Sequence, residues 1–424
     1  MIRFLFKGLI RDSQRSLLPV IIVAAGVMLT VFLQAWITGV MQDGIEFNAR
    51  FNTGHVKIMT RAYALDKEQL PNDLALTGVR ELLDSLGKEF PGLSWSERTR
   101  FGGLLDVSDT TGESRAQGPV FGLAVDLLSG KQDEILRMNL SASLKRGYLP
   151  RKPGEILISD EFARKLKVLP GEKVTLIGST MNGAMAICNF RISGTVVFGT
   201  AAMDRGTIIT DIRDAGSALD MEDACSEIVG YFPGGYYDDA LAIKIRTEFI
   251  KHWSNSRDDF SPILYTLKET DQMSTLIAYS EKFTGILVAV FILAMSVVLW
   301  NAGLLGGLRR YGEFGLRLAM GESQGHIYRS QLVESLITGL LGTIAGTLLG
   351  LGFSWLVQKY GFDGSNMMKN AAMMLPSSFH ARITAASYYI GLIPGLVSTL
   401  AGTMLSGTGI YKRKTSELFK ELES

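Results

Sequence analysis

Two short segments of this sequence look like loops that hold phosphate groups, but both lack residues that such loops need. Residues 128–132 (LSGKQ) have the form of the signature loop of nucleotide-dependent ATPases, and residues 407–412 combine two glycines with a lysine. A loop that cradles a nucleotide's phosphates has the pattern G-x-x-x-x-G-K-[ST] between a strand and a helix. No stretch of the 424 residues has this pattern, so we predict that the chain does not hydrolyse ATP by itself.

Residue types that usually bind metals or act as nucleophiles are scattered along the chain. A structural zinc site needs closely spaced pairs of cysteine or histidine, and no such pairs occur. We therefore predict no metal site and no cofactor in this chain. Cys188 and Cys225 both fall in the large segment between the first two apolar runs, where an oxidising compartment would permit a disulfide. The sequence leaves open whether they are bonded.

The residues whose types and spacing best indicate a function lie in the segment 306–331. Glu313 and Arg317 are four residues apart, so on a helix they are neighbours that can pair or can offer charge to a partner protein. Gly315 would let another backbone approach, and Gly321 suits the end of a helix. Together with Arg310, these residues form a candidate docking surface. The alternative interpretation is that the segment is an ordinary charged loop helix.

Long apolar runs flank this segment and predict that it connects two membrane-spanning helices. The runs are 17–40, 283–305, 332–357 and 386–406. Each has about 20 residues or more, enough to cross a hydrocarbon core about 30 Å thick. The first run could also be a signal peptide, but it is longer than the usual apolar region and no small-residue cleavage site follows it.

The predicted fold is an α-helical membrane protein with four transmembrane helices and a large extracytoplasmic α/β domain inserted between helices 1 and 2. The predicted order is a cytoplasmic amphipathic helix 1–16, helix 1 at 17–40, the α/β domain 41–277, helix 2 at 278–305, a cytoplasmic loop 306–331, helix 3 at 332–357, a short outer loop 358–385, helix 4 at 386–406 and a cytoplasmic tail 407–424.

Charge predicts the orientation of these segments. The three predicted cytoplasmic segments hold twelve Lys and Arg against six acidic residues, whereas 41–282 holds 28 basic and 34 acidic residues. Basic residues collect on the cytoplasmic side of membrane proteins, so the large domain is expected outside. The outer loop 358–385 weakens the pattern, because it also holds three basic residues.

A basic stripe precedes the first apolar run. Arg3, Lys7, Arg11 and Arg15 recur every four residues, so they would follow one side of a helix. Such a helix is typical of the membrane interface, where its cations meet anionic headgroups. The alternative is a positive flank that only sets the topology.

Glycines in the last two apolar runs predict close helix packing. Gly342, Gly346 and Gly350 form a small-xxx-small ladder on one face, which lets another helix approach closely. The alternative is that glycine is simply common in membrane helices. Glycine and proline within 391–395 predict a kink in the fourth helix.

Local patterns in the large segment predict mixed α/β structure. Expected strands are 54–59, 172–177, 186–198, 206–210 and 240–246, and helix-rich stretches are 74–90 and 127–146. Residues 264–282 contain no Gly or Pro and are expected to form a helix that continues into the second apolar run.

The segment 301–334 resembles the cytoplasmic loop of FtsX/MacB-type ABC transporter permeases. The resemblance rests on Arg310, Glu313, Gly315, Arg317 and Gly321, and it implies that these residues form a coupling helix resting on a partner ATPase. The family implies two copies of a separate ABC ATPase, which bind ATP and Mg, and a second permease, identical or paralogous. Membrane lipids are further partners, and a periplasmic carrier or accessory protein is a candidate. Nucleic acid is not expected.

Two segments of the large domain resemble the LolC/LolE lipoprotein-releasing branch of this family. They are 54–58 (GHVKI) and 122–126 (GLAVD). This resemblance implies lipoprotein or amphiphile extraction by mechanotransmission at the bacterial inner membrane. The alternatives are MacB-like efflux of drugs, peptides or toxins and FtsX-like signalling to a cell-wall hydrolase. A soluble enzyme on an anchor would not need four membrane helices.

Overall fold

A computed structural model describes residues 13–109, 112–198, 201–253, 258–270, 273–308, 311–363 and 378–408. These residues form two compact units. The sheet unit contains the described residues from Gly44 to Ala278, and the helical unit contains those before Gly44 and after Ala278.

The helices, in chain order, are α1 Ser13–Asn48, α2 Arg61–Asp66, α3 Val79–Glu89, α4 Asp133–Arg137, α5 Leu140–Ser143, α6 Asp160–Leu166, α7 Ala201–Asp204, α8 Ile212–Leu219, α9 Asp239–Trp253, α10 Met273–Leu308, α11 Tyr311–Ala319, α12 Gln324–Tyr360, α13 Ala385–Tyr389 and α14 Thr399–Gly407. Two π-helical segments, Ala49–Thr53 and Ile393–Ser398, continue α1 and precede α14. Short 3₁₀ turns are Lys67–Gln69, Asn72–Leu74 and Leu267–Glu269.

The strands, in chain order, are β1 Val56–Thr60, β2 Leu76–Thr77, β3 Ser94–Ser108, β4 Ser114–Val125, β5 Leu144–Gly147, β6 Glu155–Ser159, β7 Lys173–Ser179, β8 Met185–Val196, β9 Thr207–Asp211, β10 Ala224–Cys225, β11 Glu227–Tyr231, β12 Pro262–Thr266, β13 Phe362–Asp363 and β14 Ser378–Phe379.

Four helical segments of the described chain are long and apolar enough to cross a membrane. They are Leu17–Thr53, Met273–Gly306, Gln324–Tyr360 and Ala385–Gly407, here named spans 1 to 4. Span 2 leaves most of its apolar side chains exposed, including Leu293 and Val297. Apolar side chains on the outside of a helix suit lipid as the surrounding solvent.

In the helical unit, span 1 packs against parts of the other three spans. Val23, Val27 and Val31 recur every four residues on α1 and are buried, with Leu299 of α10, in one apolar cluster. Leu351 of α12 and Ile390 pack against this cluster. The spacing places the three valines on one face of α1, so that face lies against protein.

In the sheet unit, six strands close into a ring. The pairing runs from β3 through β4, β9, β6 and β8 to β7, and β7 pairs back with β3. Two of the pairings, β4 with β9 and β6 with β8, are parallel and the others are antiparallel. A closed ring has no free edges, and side chains such as Leu105, Ile156, Leu176 and Ile192 form its buried core.

The strand β3 belongs both to this ring and to a smaller sheet. Its first residues, Ser94 to Arg98, pair with β11, and its later residues, Thr99 to Ser108, pair with β4. The strand order beyond β11 is β1 and then β12. The helix α3 packs over this smaller sheet through Leu82 and Leu86, in a second apolar core.

Two of the sequence expectations for the sheet unit are wrong. Residues 240–246, expected as a strand, lie in α9, because Ala242, Ile245 and Phe249 are spaced to bury one face of a helix. Residues 264–282, expected as one helix, begin inside β12, where Leu264 pairs with Ile58, and α10 begins only at Met273.

Candidate functional site

The short helix α11 carries most of the residues that the sequence singled out. Phe314 and Leu318 lie four residues apart, so both point to the same side. Phe314 is buried against Ile327 of α12, and Leu308 and Leu318 pack around this pair. Gly315 is also buried. The apolar contact therefore fixes α11 against the beginning of α12.

A glycine-based cap ends α11. Gly321 has φ +90°, a left-handed conformation that glycine adopts without steric cost. Its N–H donates to the carbonyl of Leu318 at 3.0 Å, and the N–H of Glu322 donates to the carbonyl of Arg317 at 3.1 Å. This pair of bonds defines the Schellman motif, so the local role expected for Gly321 is present.

A bidentate ion pair closes the same cap. The guanidinium of Arg317 donates to both carboxylate oxygens of Glu322, each at 2.6 Å. These hydrogen bonds lower the pKa of Glu322, so the pair is ionised at neutral pH. His326 lies 3.5 Å from the same carboxylate. Arg317 thus pairs across the turn rather than with Glu313 one helical turn away.

The outer face of α11 is partly apolar. Leu316 and Met320, four residues apart, have exposed fractions of 54% and 71%. Glu313, three residues before Leu316, is also exposed. We name Glu313, Leu316 and Met320 the α11 face. Exposed apolar side chains grouped on one helix face are typical of surfaces that bind another protein. Arg310 lies outside the described residues.

The three glycines of the small-xxx-small ladder lie against span 1. At Gly342, Gly346 and Gly350, an added Cβ would come within 2.5–2.8 Å of an atom of α1. At Gly346 these atoms are the carbonyl oxygen of Ala24, at 2.5 Å, and the Cβ of Val27, at 2.8 Å. No side chain fits such a gap, so the ladder brings the two helix backbones into direct contact.

Span 4 also packs closely against Val27 of span 1. Added Cβ atoms at Gly391 and Gly395 would meet Val27, and at Gly395 also Thr343. Pro394 is the second residue of the π-helical segment Ile393–Ser398. Proline supplies no N–H for the regular helical ladder, which accounts for irregular backbone where the sequence predicted a kink.

The remaining candidate residues are placed as follows. Arg3, Lys7 and Arg11 of the basic stripe lie outside the described residues, and Arg15 lies at the beginning of α1. Cys188 on β8 and Cys225 on β10 are both free. Within the described part of the chain, no group of three His, Cys, Asp or Glu residues could hold a metal ion.

Sequence reasoning missed Glu322 and the apolar half of the α11 face. The signal for Glu322 was available, because it directly follows the capping glycine and lies beside the last turn that contains Arg317. Leu316 and Met320 gave no signal of their own, because their exposure depends on which side of α11 Phe314 and Leu318 bury.

Comparison with known proteins identifies the segment around α11. The family description FtsX-like permease C-terminal matches residues 285–415. The Macrolide export ATP-binding/permease protein MacB 1/2 of Paracoccus denitrificans is 26% identical over 157 residues, which is 36% of this chain and 23% of that protein. Over these segments the chain is similar to FtsX-like permeases and to MacB.

Other relatives of this chain carry similar names. MacB of Wolinella succinogenes is 31% identical over 77 residues, 18% of this chain and 12% of that protein. The chain thus matches less than a quarter of the length of these relatives. The periplasmic region of MacB from Actinobacillus actinomycetemcomitans aligns with a TM-score of 0.36 at 15% identity, covering 55% of this chain and 95% of that structure.

Proposed function

We propose that this chain is the membrane subunit of an ABC transporter and that α11 docks on a separate ATPase. The observation that carries the proposal is the α11 face, which lies within the matched permease segment and exposes Leu316 and Met320. The Schellman cap and the Arg317–Glu322 pair hold the helix in one conformation before any partner binds. A preformed surface loses less conformational freedom on binding.

In this proposal the transporter contains two permeases, identical or paralogous, and two ATPase subunits that bind ATP and Mg. The charge asymmetry of the sequence supports an orientation with α11 in the cytoplasm and the sheet unit in the periplasm. The inner membrane is the corresponding location. Closure of the ATPases moves the helices, and the helices move the sheet unit, which is mechanotransmission.

The names of the relatives favour the efflux alternative, with a macrolide-like small molecule as the exported substrate. Both are called macrolide export proteins. Lipoprotein release stays a prediction that the names of these relatives do not support. That prediction rests partly on the segment 54–58. The residue types in this segment also have a structural explanation, because Gly54, His55 and Lys57 make buried contacts at the end of span 1.

Charging the α11 face tests the docking proposal. In Leu316→Asp and Met320→Asp, the apolar surface is lost, and removal of a central apolar anchor typically weakens an interface about 30-fold or more. We expect the ATPase to stop co-purifying with both variants, and ATP hydrolysis to be absent from the purified permease alone.

The matched control is Ser323→Asp, which adds the same negative charge three residues after Met320. Ser323 directly precedes α12, and aspartate is as good a residue there as serine. ATPase should co-purify with this control at the wild-type level. Equal recovery of ATPase with Leu316→Asp, Met320→Asp and wild type would refute docking through α11.

A further inference from the structure

The helix of span 1 ends inside the sheet unit in a cluster of buried ionic groups. The π-helical segment Ala49–Thr53 continues α1 to Gly54, whose φ of +64° terminates the helix. The last four carbonyls of a helix have no partners within the helix. Burial of this helix end in protein therefore requires donors from elsewhere in the fold.

Four side chains of the sheet supply these donors. The hydroxyl of Tyr231 donates to the carbonyl of residue 50 at 3.1 Å, and Arg98 donates to the carbonyls of residues 50 and 51 at 2.8 and 3.1 Å. Arg100 donates to the carbonyls of residues 51 and 52, and Lys57 donates to that of residue 52 at 2.7 Å. The cations also complement the negative end of the helix dipole.

Two buried carboxylates pair with these cations. Glu134 accepts from Arg98 at 2.7 Å and from Arg137 at 2.8 Å. Glu227 lies 2.6 Å from the Lys57 ammonium and accepts from Arg100 at 3.0 Å. We name Lys57, Arg98, Arg100, Glu134, Glu227 and Tyr231 the span-1 joint.

Both joint carboxylates are held in the ionised form. Burial alone would raise the pKa of Glu227, but Arg100 and Lys57 outweigh it and lower that pKa to about 2. Burial likewise opposes ionisation of Glu134, and Arg98 and Arg137 lower its pKa. Both carboxylates therefore stay ionised throughout the physiological pH range.

A further pair ties the preceding helical turn to the same sheet. Both carboxylate oxygens of Glu46 lie 3.0 Å from Nε2 of His55, which is fully buried. The N–H of Phe232 donates to Nδ1 of that ring at 2.9 Å. Because Nδ1 accepts, Nε2 carries the proton and donates to Glu46.

The joint lies where β3 changes partners. Arg98 is paired with Glu227 on β11, and the next residues, Thr99 and Arg100, are paired with β4 of the closed ring. A displacement of the helix end is therefore passed to β3 at the boundary between the small sheet and the ring. No other strand of the described chain takes part in both.

Stability alone does not account for this choice of residues. The carbonyls need donors, but neutral donors would satisfy them, and replacing a buried ion pair by packed apolar side chains is often neutral or stabilising. Apolar contacts are non-directional, however, and allow small sliding movements. Hydrogen bonds from rigid guanidinium groups to consecutive carbonyls fix both the rotation and the axial position of the helix.

We propose that the span-1 joint is a positioning device that makes the sheet unit follow the end of span 1 without slippage during the transport cycle. This inference rests on the proposed mechanotransmission. It assigns Lys57, Arg98 and Arg100 a role in coupling rather than in substrate or nucleotide binding.

The test measures motion and hydrolysis separately in the complete transporter with its ATPase. A fluorescent label is placed at Met185→Cys, an exposed position of β8, in a Cys188→Ser background. In the otherwise wild-type complex, addition of ATP changes the label signal. In Arg98→Met and Lys57→Met, ATP hydrolysis stays within about twofold, whereas the label response falls about fivefold or more, the lower limit typical of coupled sites.

Two further variants separate coupling from simple loss of folding. Arg98→Lys keeps the charge but loses the guanidinium fork, so its label response should be intermediate. Arg115→Met removes an ion pair with Glu172 that is largely exposed and should behave as wild type. Unfolding of part of the sample lowers hydrolysis and label response together, and a parallel loss in Arg98→Met and Lys57→Met would overturn the proposal.

The remaining outcomes are equally decisive. If the wild-type label responds to ATP and Arg98→Met and Lys57→Met respond as strongly, the joint has no coupling role, although mechanotransmission stands. If the wild-type complex hydrolyses ATP without any label response, mechanotransmission itself is wrong, and the inference about the joint is refuted with it.

Discussion

The glycine ladder allows a sharp test of packing between spans 1 and 3. Replacing Gly346 by alanine adds one methyl group where a Cβ would lie 2.5 Å from the carbonyl oxygen of Ala24 and 2.8 Å from the Cβ of Val27. Both distances are shorter than a carbon atom tolerates, and one neighbour is backbone, which cannot rotate away. Span 1 or span 3 must therefore move.

Gly352 on the same helix provides the reference. An added Cβ there would meet nothing within 4 Å. Alanine has a higher helix propensity than glycine by about 0.8–1.0 kcal/mol, so Gly352→Ala should be neutral or slightly stabilising. Gly346→Ala gains the same propensity but suffers overpacking, which typically costs about 1–3 kcal/mol. The difference between the two variants isolates the steric cost.

The assay is reversible unfolding of the purified chain in mixed micelles, followed by helix content, with wild type and both variants measured in parallel. We expect Gly346→Ala to be less stable than Gly352→Ala by about 1–3 kcal/mol. Equal stabilities would show that the two helices separate easily, and the close backbone packing described here would be refuted.

Two further predictions concern the joint and the cap. The folded-state pKa of Glu227 is about 2, below its usual 4.5, so its contribution to stability is complete above about pH 4.5 and is lost as the pH falls through about 2. Glu227→Gln should therefore show a smaller decrease in unfolding free energy between pH 4.5 and 2 than wild type, and an identical decrease would contradict the assignment. Gly321→Val places a β-branched residue at φ +90°, which costs about 1–3 kcal/mol. It should weaken ATPase co-purification while leaving the thermal unfolding of the sheet unit unchanged, and wild-type recovery of ATPase would show that the cap is not needed for docking.

The four apolar spans and the helix α11 were readable from sequence because their signals are local. An apolar run of sufficient length needs no tertiary information, and the spacing of Gly342, Gly346 and Gly350 already defines a helix face. The sequence could not identify the occupant of that face. The residues of span 1 that contact this face are more than 300 residues away along the chain, and an apolar helix offers no feature that selects one partner.

The sheet unit was less predictable because neighbouring strands override local patterns. In residues 240–246, Leu241, Ile243 and Ile245 alternate with other residues as they would in a strand. The structure shows a helix instead, because Ala242, Ile245 and Phe249 are buried together on one face of α9. The ring also escaped prediction, because its closure depends on β7 pairing with both β3 and β8.

The span-1 joint was hidden for a similar reason. Its members are distributed from Lys57 to Tyr231, and each of them reads in sequence as an ordinary polar residue of a strand or helix. From sequence alone, the segment 54–58 suggests a substrate class, because it resembles lipoprotein-releasing permeases. In the structure, Lys57 and His55 contact the end of span 1, and this contact explains their residue types without reference to a substrate.

The contacts along span 1 differ in kind because their surroundings differ. Between apolar helices in lipid there is little hydrophobic gain from association, so close backbone packing over glycine is an effective way to hold them together. At the end of span 1 the carbonyls lose their helical partners, and only donors can satisfy them. In the proposed docking, the α11 face binds a partner from water, where exposed leucine and methionine gain free energy by being buried. Each contact thus uses the interaction that is strongest in its own environment, which supports separate roles in packing, positioning and docking.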